Sequence, residues 1–296
     1  MRIEVMELPA SDYGIHVPTL TAYVQENVEA QRDRLRPAMI ICPGGGYEFC
    51  SDREAEPMAL EFAARGYQAF VLDYDVLDPD LAAKGVCLLP APQQNLAHAV
   101  ACVRAHADEW SVDAGRICIL GCSAGGHLCA AYSGLAQRKD FAADMGYTRE
   151  DIAVYAQVLC YPVIDLTAGW PSPAEERIPA LCDRASDLVA TQGLVSAETP
   201  RTFIWHTAAD QGVPVVNTYL YAAALAHAGV DHDCHVFHAG RHGLSLATPQ
   251  TSKRSEHVVP HVAHWIDLAV EWLDEEPAIC PAAAGEGISS WREDAS

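Results

Sequence analysis

Gly121-Cys122-Ser123-Ala124-Gly125 is the segment of this sequence that holds the most chemistry. A serine hydroxyl is a poor nucleophile at neutral pH. It needs a base within hydrogen-bond reach and a third group to orient that base. The pentapeptide alone is a weak signal, but its setting strengthens it. The apolar run Arg116-Ile117-Cys118-Ile119-Leu120 leads straight into it, and a helical pattern of small residues from Ala124 to Leu135 leads out. Strand, tight turn and helix together form a nucleophile elbow, whose glycines keep side chains clear of a strained turn. In that arrangement an acid and then a histidine follow the serine in the chain. Asp210, just beyond the strand-like run Thr202-Phe203-Ile204-Trp205-His206, is the expected acid. His242, in Gly240-Arg241-His242-Gly243 after the last strand-like run, is the expected base. Asp165 competes as an acid because it also follows a strand. Asp231 and Asp233 stand at the wrong end of theirs. His238 ends a strand rather than sitting in a glycine-flanked loop, and His206 reads as structural or surface.

A second glycine-rich turn, Cys42-Pro43-Gly44-Gly45-Gly46-Tyr47, follows the buried run Ala38 to Cys42. Glycines allow backbone N–H groups to approach a developing negative charge, which is what an oxyanion hole requires. A phosphate loop would end in Gly-Lys-Ser/Thr, and this turn does not. The spacing of a dinucleotide fingerprint is also missing. His232, His235 and His238 recur every three residues, a spacing that points to opposite faces of a strand. His257, His261 and His264 share one helical face but have no acidic or cysteine partner nearby, and read as a solvated or packed face. Neither a metal nor a cofactor is expected.

These residues need a scaffold. Short apolar runs alternate with helical patterns, which predicts a mostly parallel sheet covered by helices. Strands are expected over Thr19 to Val24, Ala38 to Cys42, Gln68 to Leu72, Arg116 to Leu120, Val154 to Cys160, Thr202 to His206 and Asp233 to Phe237. Helices are expected over Gln93 to Trp110, Ala124 to Leu135, Pro214 to His227 and Glu256 to Leu273. Ser51-Asp52-Arg53-Glu54 fits a capping box at the start of another helix, which ends near Gly66. Residues 162–200, with five prolines, are too long for a plain loop and predict a small cap over the site. Residues 1–274 are expected as a single domain and 275–296 as an acidic surface tail.

The chain has 296 residues, of which 50% are apolar and 20% charged, a globular composition with a formal net charge of −21. So acidic a chain is not expected to bind nucleic acid or an anionic membrane surface. Met1 to Glu7 carries two acids and no apolar run, so no signal peptide is expected. The eleven scattered cysteines, with no Cys-x-x-Cys pair, fit a reducing cytoplasm.

Four segments together resemble bacterial α/β-hydrolase esterases: Cys42 to Tyr47, Ser51 to Pro57, Gly121 to Leu128, and His242-Gly243-Leu244-Ser245. The nearest group is the small acetyl esterase and acetylxylan-esterase-like branch, related to the hormone-sensitive-lipase type. The resemblance runs from about residue 19 to 273. It implies an α/β-hydrolase fold with an eight-stranded, mostly parallel sheet and the triad Ser123, Asp210 and His242. Pro43-Gly44-Gly45-Gly46 aligns with the family's His-Gly-Gly-Gly, which implies oxyanion donors at Gly45 and Gly46, with Ala124 as a third. Pro43 departs from the family's histidine. The implied activity is serine carboxylesterase, with acetylated sugars or hemicellulose-derived oligosaccharides as small-molecule ester substrates. Tyr47 and Trp170 are candidates to stack on a sugar ring. A feruloyl-type esterase or an arylformamidase would use the same triad, and a non-catalytic binding module is a further alternative. Homo-oligomerisation is left open.

Overall fold

The computed structural model describes residues 1–278 and 280, apart from 12 and 15. Most of the expected acidic tail lies outside the described residues. Eight strands form one sheet: β1 (Arg2–Glu7), β2 (Thr19–Val24), β3 (Arg36–Cys42), β4 (Gln68–Asp73), β5 (Val112–Cys122), β6 (Ala156–Cys160), β7 (Arg201–Thr207) and β8 (His232–Phe237). Their order is β1-β2-β4-β3-β5-β6-β7-β8. The β1–β2 and β2–β4 pairs are antiparallel, and the other five are parallel. This is the α/β-hydrolase architecture the sequence implies.

The central strands are apolar on both faces because helices cover both. Ile40, Ile117 and Ile119 face a core shared with helices Ala91–Ala105, Ala124–Leu135 and Val216–Ala228. Met39, Ile41, Cys118 and Leu120 face the other core, closed by helices Glu56–Ala64 and Trp265–Asp274. One buried polar residue interrupts β6. Gln157 is fully bonded there, accepting from Ser133 Oγ and donating to Thr202 Oγ1 and Tyr221 Oη. Satisfied in this way, a core amide fixes register at little cost.

Four local expectations need correction. β1 was not expected, because an edge strand with exposed Ile3 and Val5 between acids and an arginine carries no apolar run. The Gln93 to Trp110 helix runs from Ala91 to Ala105, and a turn closes it before Trp110. The expected helix Glu256 to Leu273 is broken into Pro260–Ala263 and Trp265–Asp274. Pro260 has no N–H and can only open a helix, so the chain restarts there. Ser51 makes no side-chain cap; residues 52–54 form a 3-10 turn, and the helix starts at Glu56. Glu54 is turned into the protein instead.

Between β6 and β7 the chain forms helix Ala174–Leu181 and two 3-10 turns, Asp187–Val189 and Thr191–Leu194. This segment packs Ile178, Leu181 and Leu188 into the first core. All eleven cysteines are free thiols. No helix among the described residues is long and apolar enough to cross a membrane.

Candidate active site

β5 ends at Cys122, and Ser123 occupies the turn before helix Ala124–Leu135 with φ +56° and ψ −117°. A positive φ is strained for serine. Close packing enforces it: Ser123 N–H donates to Cys160 O, and Ser123 O accepts from Val163 N–H, both at 3.0 Å. Two glycines of the motif have no alternative. A Cβ on Gly121 would lie 2.1 Å from Gly125 O, and one on Gly125 would lie 2.1 Å from Cys42 O.

Ser123 Oγ lies 2.7 Å from His242 Nε2, and His242 Nδ1 lies 2.7 Å from Asp210 Oδ2. The three residues come from the ends of β5, β7 and β8, which run parallel and deliver their following loops to one edge of the sheet. Asp210 is buried. Burial by itself would raise its carboxyl, but hydrogen bonds from His206 and His242, and from the Val213 N–H, outweigh burial and hold it well below the usual carboxylate range. Its Oδ1 accepts from Gly212 N–H at 2.8 Å and Val213 N–H at 3.0 Å. An ionised Asp210 keeps the proton on His242 Nδ1, which leaves Nε2 free to accept from the serine hydroxyl.

The rivals are engaged elsewhere. Asp165 accepts from Thr167 and from Gln192 Nε2, holding the segment after β6. Asp231 pairs with Arg201 at the far end of β7, Asp233 pairs with His235, and His238 lies beside His261. Among the described residues no histidine, cysteine and carboxylate cluster is arranged to hold a metal.

The glycine-rich loop lies against the nucleophile. A Cβ on Gly44 would lie 3.0 Å from Ser123 Cβ, and one on Gly45, where φ is +130°, would lie 1.9 Å from Phe49 O. Gly46 is also left-handed, at φ +69°. Among the described residues, the N–H groups of Gly45, Gly46 and Ala124 have no acceptor within the protein. Trp170 is half-buried beside this loop, its Cζ2 3.7 Å from where a Gly46 Cβ would stand. Tyr47 requires correction as a stacking platform. It is completely buried, its hydroxyl bonded to His127 Nδ1 at 2.9 Å and its ring edge-on to Tyr74 and His127. Tyr47 closes the glycine turn in a left-handed conformation, at φ +61°. A cavity of ≈ 610 Å³ opens beside His242, lined by Ala209, Gln211, Gly212, Gly240, Arg241 and Glu256.

The family model described as BD-FAE matches residues 24–225, a span that includes the glycine-rich loop and the elbow. The chain belongs to the BD-FAE family. Its BD-FAE fold is shared with the carboxylesterase Cest-2923 from Lactobacillus plantarum WCFS1, at 33% identity and a TM-score of 0.84 over 92% of this chain and 97% of that one. It is similar to an acetyl ester-xyloside bifunctional hydrolase from Caldicellulosiruptor lactoaceticus, at 31% identity and a TM-score of 0.71 over 91% and 94%. It is also similar to endo-1,4-beta-xylanase B of Butyrivibrio fibrisolvens, 35% identical over 246 residues, which are 81% of this chain and 36% of that protein. The chain spans between 36% and 49% of the length of the curated relatives it matches. The esterase resemblance is therefore borne out: this is a BD-FAE member with the fold and family of carboxylic ester hydrolases.

Three residues of the candidate site have no sequence signal that singled them out. His206 is completely buried, with Nδ1 2.8 Å from Thr218 Oγ1 and Nε2 shared between Val213 O at 3.0 Å and Asp210 Oδ2 at 3.2 Å. It read as structural because it lies within an apolar strand. Glu54 read as a cap because its spacing from Ser51 fits one. Tyr161, edge-on to His242 with ring centroids 5.3 Å apart, directly follows β6 and reads as an ordinary core aromatic.

Proposed function

We propose that this protein is a serine carboxylesterase that removes short acyl groups, acetyl above all, from sugars or hemicellulose-derived oligosaccharides. The observation that carries this reading is the unbroken chain Ser123 Oγ–His242–Asp210, with both contacts at 2.7 Å, on a strained elbow packed against the glycine-rich loop. His242 takes the hydroxyl proton as Ser123 attacks the ester carbonyl. Asp210 holds the imidazole in its tautomer and stabilises the imidazolium. Gly45, Gly46 and Ala124 donate to the tetrahedral oxyanion, a contribution of about 3 kcal/mol per donor in enzymes of this kind. His242 then protonates the leaving alcohol, and water, deprotonated by the same imidazole, hydrolyses the acyl-enzyme.

The sugar side of the reading draws on the relatives named for xylan and xyloside cleavage. It also draws on the two rings that flank the glycine loop. Trp170 lies beside Gly46, and exposed Phe49 lies beside Gly45. Such rings can stack on a pyranose face.

The test is release of p-nitrophenol from p-nitrophenyl acetate by wild type and Ser123→Ala, with folding checked by circular dichroism. Activity that disappears in the folded variant is expected. Equal rates would show that the elbow serine is not the nucleophile. For the substrate, Trp170→Ala is expected to raise KM for acetylated xylo-oligosaccharides at least about threefold. It should leave p-nitrophenyl acetate turnover nearly unchanged, and feruloyl and formyl-anilide compounds should be poorer substrates than acetyl esters.

A further inference from the structure

The reaction needs two loops from distant parts of the chain to meet in one geometry: the glycine loop, which carries the oxyanion donors, and the loop after β8, which carries His242. One short turn touches both. Glu54 is only 4% exposed. Its Oε2 accepts from Gly44 N–H at 2.9 Å, and its Oε1 accepts from Tyr161 O–H at 2.7 Å. The Tyr161 oxygen in turn accepts from Ser245 N–H at 3.0 Å, three residues beyond His242, and its ring stands at 79° to the imidazole. The turn itself reaches the same loop: Ser245 Oγ donates to Arg53 O at 2.7 Å, and the Arg53 guanidinium donates to Gly243 O at 3.0 Å.

We propose that Glu54, acting through Tyr161, is a positioning residue that sets the spacing between the oxyanion donors and the His242 imidazole; this rests on the serine-esterase reading above. A carboxylate is suited to the task because it has only acceptors to offer, and its two oxygens each hold a donor from a different loop. Buried hydrogen bonds of this kind are short, directional and free of competition from water. The packing leaves no slack. A Cβ on Gly44 would lie 2.7 Å from Glu54 Oε2, 2.8 Å from Cys122 O and 3.0 Å from Ser123 Cβ, so Gly44 is held closely between the carboxylate on one side and the elbow on the other. Any shift of the carboxylate therefore moves the N–H groups of Gly45 and Gly46 relative to Ser123. Misplacement by about 1 Å can cost about 100-fold in rate. Glu54→Gln keeps the shape but puts an NH2 where one of the two donors must bond, so either Gly44 or Tyr161 has to move.

The experiment uses the full chain as wild type, Glu54→Gln and Tyr161→Phe. Active sites are counted by fluorophosphonate labelling, with the labelled residue located by peptide mass spectrometry, and p-nitrophenyl acetate kinetics are expressed per labelled site. The expected result is Ser123 labelled in all three proteins. In Glu54→Gln, kcat per site should fall at least about tenfold with KM changed less than about twofold, and Tyr161→Phe should show a smaller loss in the same direction. A residue that only held the fold together would lower the number of labelled sites and leave kcat per site within about twofold of wild type; that result overturns the proposal. Labelling of wild type away from Ser123 would instead overturn the serine-esterase reading, and the proposal with it. Should Glu54→Gln fail to fold, Tyr161→Phe, which removes a single oxygen, carries the test alone.

Discussion

At the scale of single residues, the buried histidine next to the elbow links chemistry to stability. His127 is completely buried, with Nδ1 accepting from the Tyr47 hydroxyl and Nε2 donating to Leu188 O, each at 2.9 Å. It joins the helix behind Ser123 to the glycine loop on one side and to the segment after β6 on the other. Burial pushes its imidazole down to about 4. In the unfolded chain it would titrate near 6.5, so between those values the unfolded state binds more protons, and stability falls as pH falls. The loss should approach about 2 kcal/mol between pH 7 and pH 5, a drop of several degrees in Tm. His127→Gln removes the titration, and its Tm should change less over the same interval. Parallel Tm curves for the two proteins would show that His127 does not carry the acid sensitivity. Tyr47 and His127 also mark what a sequence cannot display at this scale. Both stand next to glycine motifs, yet the Tyr47 hydroxyl is spent on His127 Nδ1, and His127 Nε2 on Leu188 O, inside the core.

At the scale of elements, the elbow is a packing problem that only glycine solves. Gly121→Ala and Gly125→Ala each place a methyl about 2 Å from a backbone carbonyl that belongs to the sheet or the helix and cannot give way. Each should lower stability by about 3 kcal/mol or more, with loss of activity, whereas Gly193→Ala, where nothing lies within 4 Å, should stay within about 0.5 kcal/mol of wild type. Thermal melts of the three variants provide the check, and a Gly121→Ala protein as stable as Gly193→Ala would contradict it. At element scale, distant partners and proline override local patterns. The Ser51 to Glu54 spacing satisfies a capping box, but Gly44 N–H and Tyr161 O–H, far away in the chain, outbid the local helix for that carboxylate. The helical periodicity through Glu256 to Leu273 was real, and Pro260 overrode it.

At the scale of the whole molecule, the parallel strands separate stability from chemistry along their length. Arg201 opens β7 and pairs with Asp231 at 3.0 Å, both groups nearly buried, while its guanidinium also lies 4.1 Å from the Trp272 ring centroid. Asp210 follows the other end of the same strand, roughly 20 Å away at about 3.3 Å per residue. Asp231→Ala leaves a buried cation without its partner and should cost about 3 kcal/mol, seen as a Tm drop of roughly 5–10 °C. Below that Tm, kcat for p-nitrophenyl acetate should be unchanged. A fall in kcat at constant KM would mean that the two ends of the sheet are coupled more tightly than rigid strands allow.

The amino-acid sequence by itself determined the alternation of strands and helices, seven of the eight strands of the sheet, β2 to β8, and the places of Ser123, Asp210 and His242. The reason is that buried strands must be apolar and elbows must be glycine-rich wherever they occur in the chain, so both leave local marks. Tertiary structure alone decided which polar groups would satisfy each other across the fold. It turned Tyr47 inward, gave Asp210 a second histidine in His206, and bound Glu54 to Gly44 and Tyr161 rather than to its own helix. These pairings join residues as far as 107 positions apart. Burial makes an unpaired donor or acceptor costly, so these groups are met by partners that the packed fold brings within hydrogen-bond reach, and no local pattern records which ones those are.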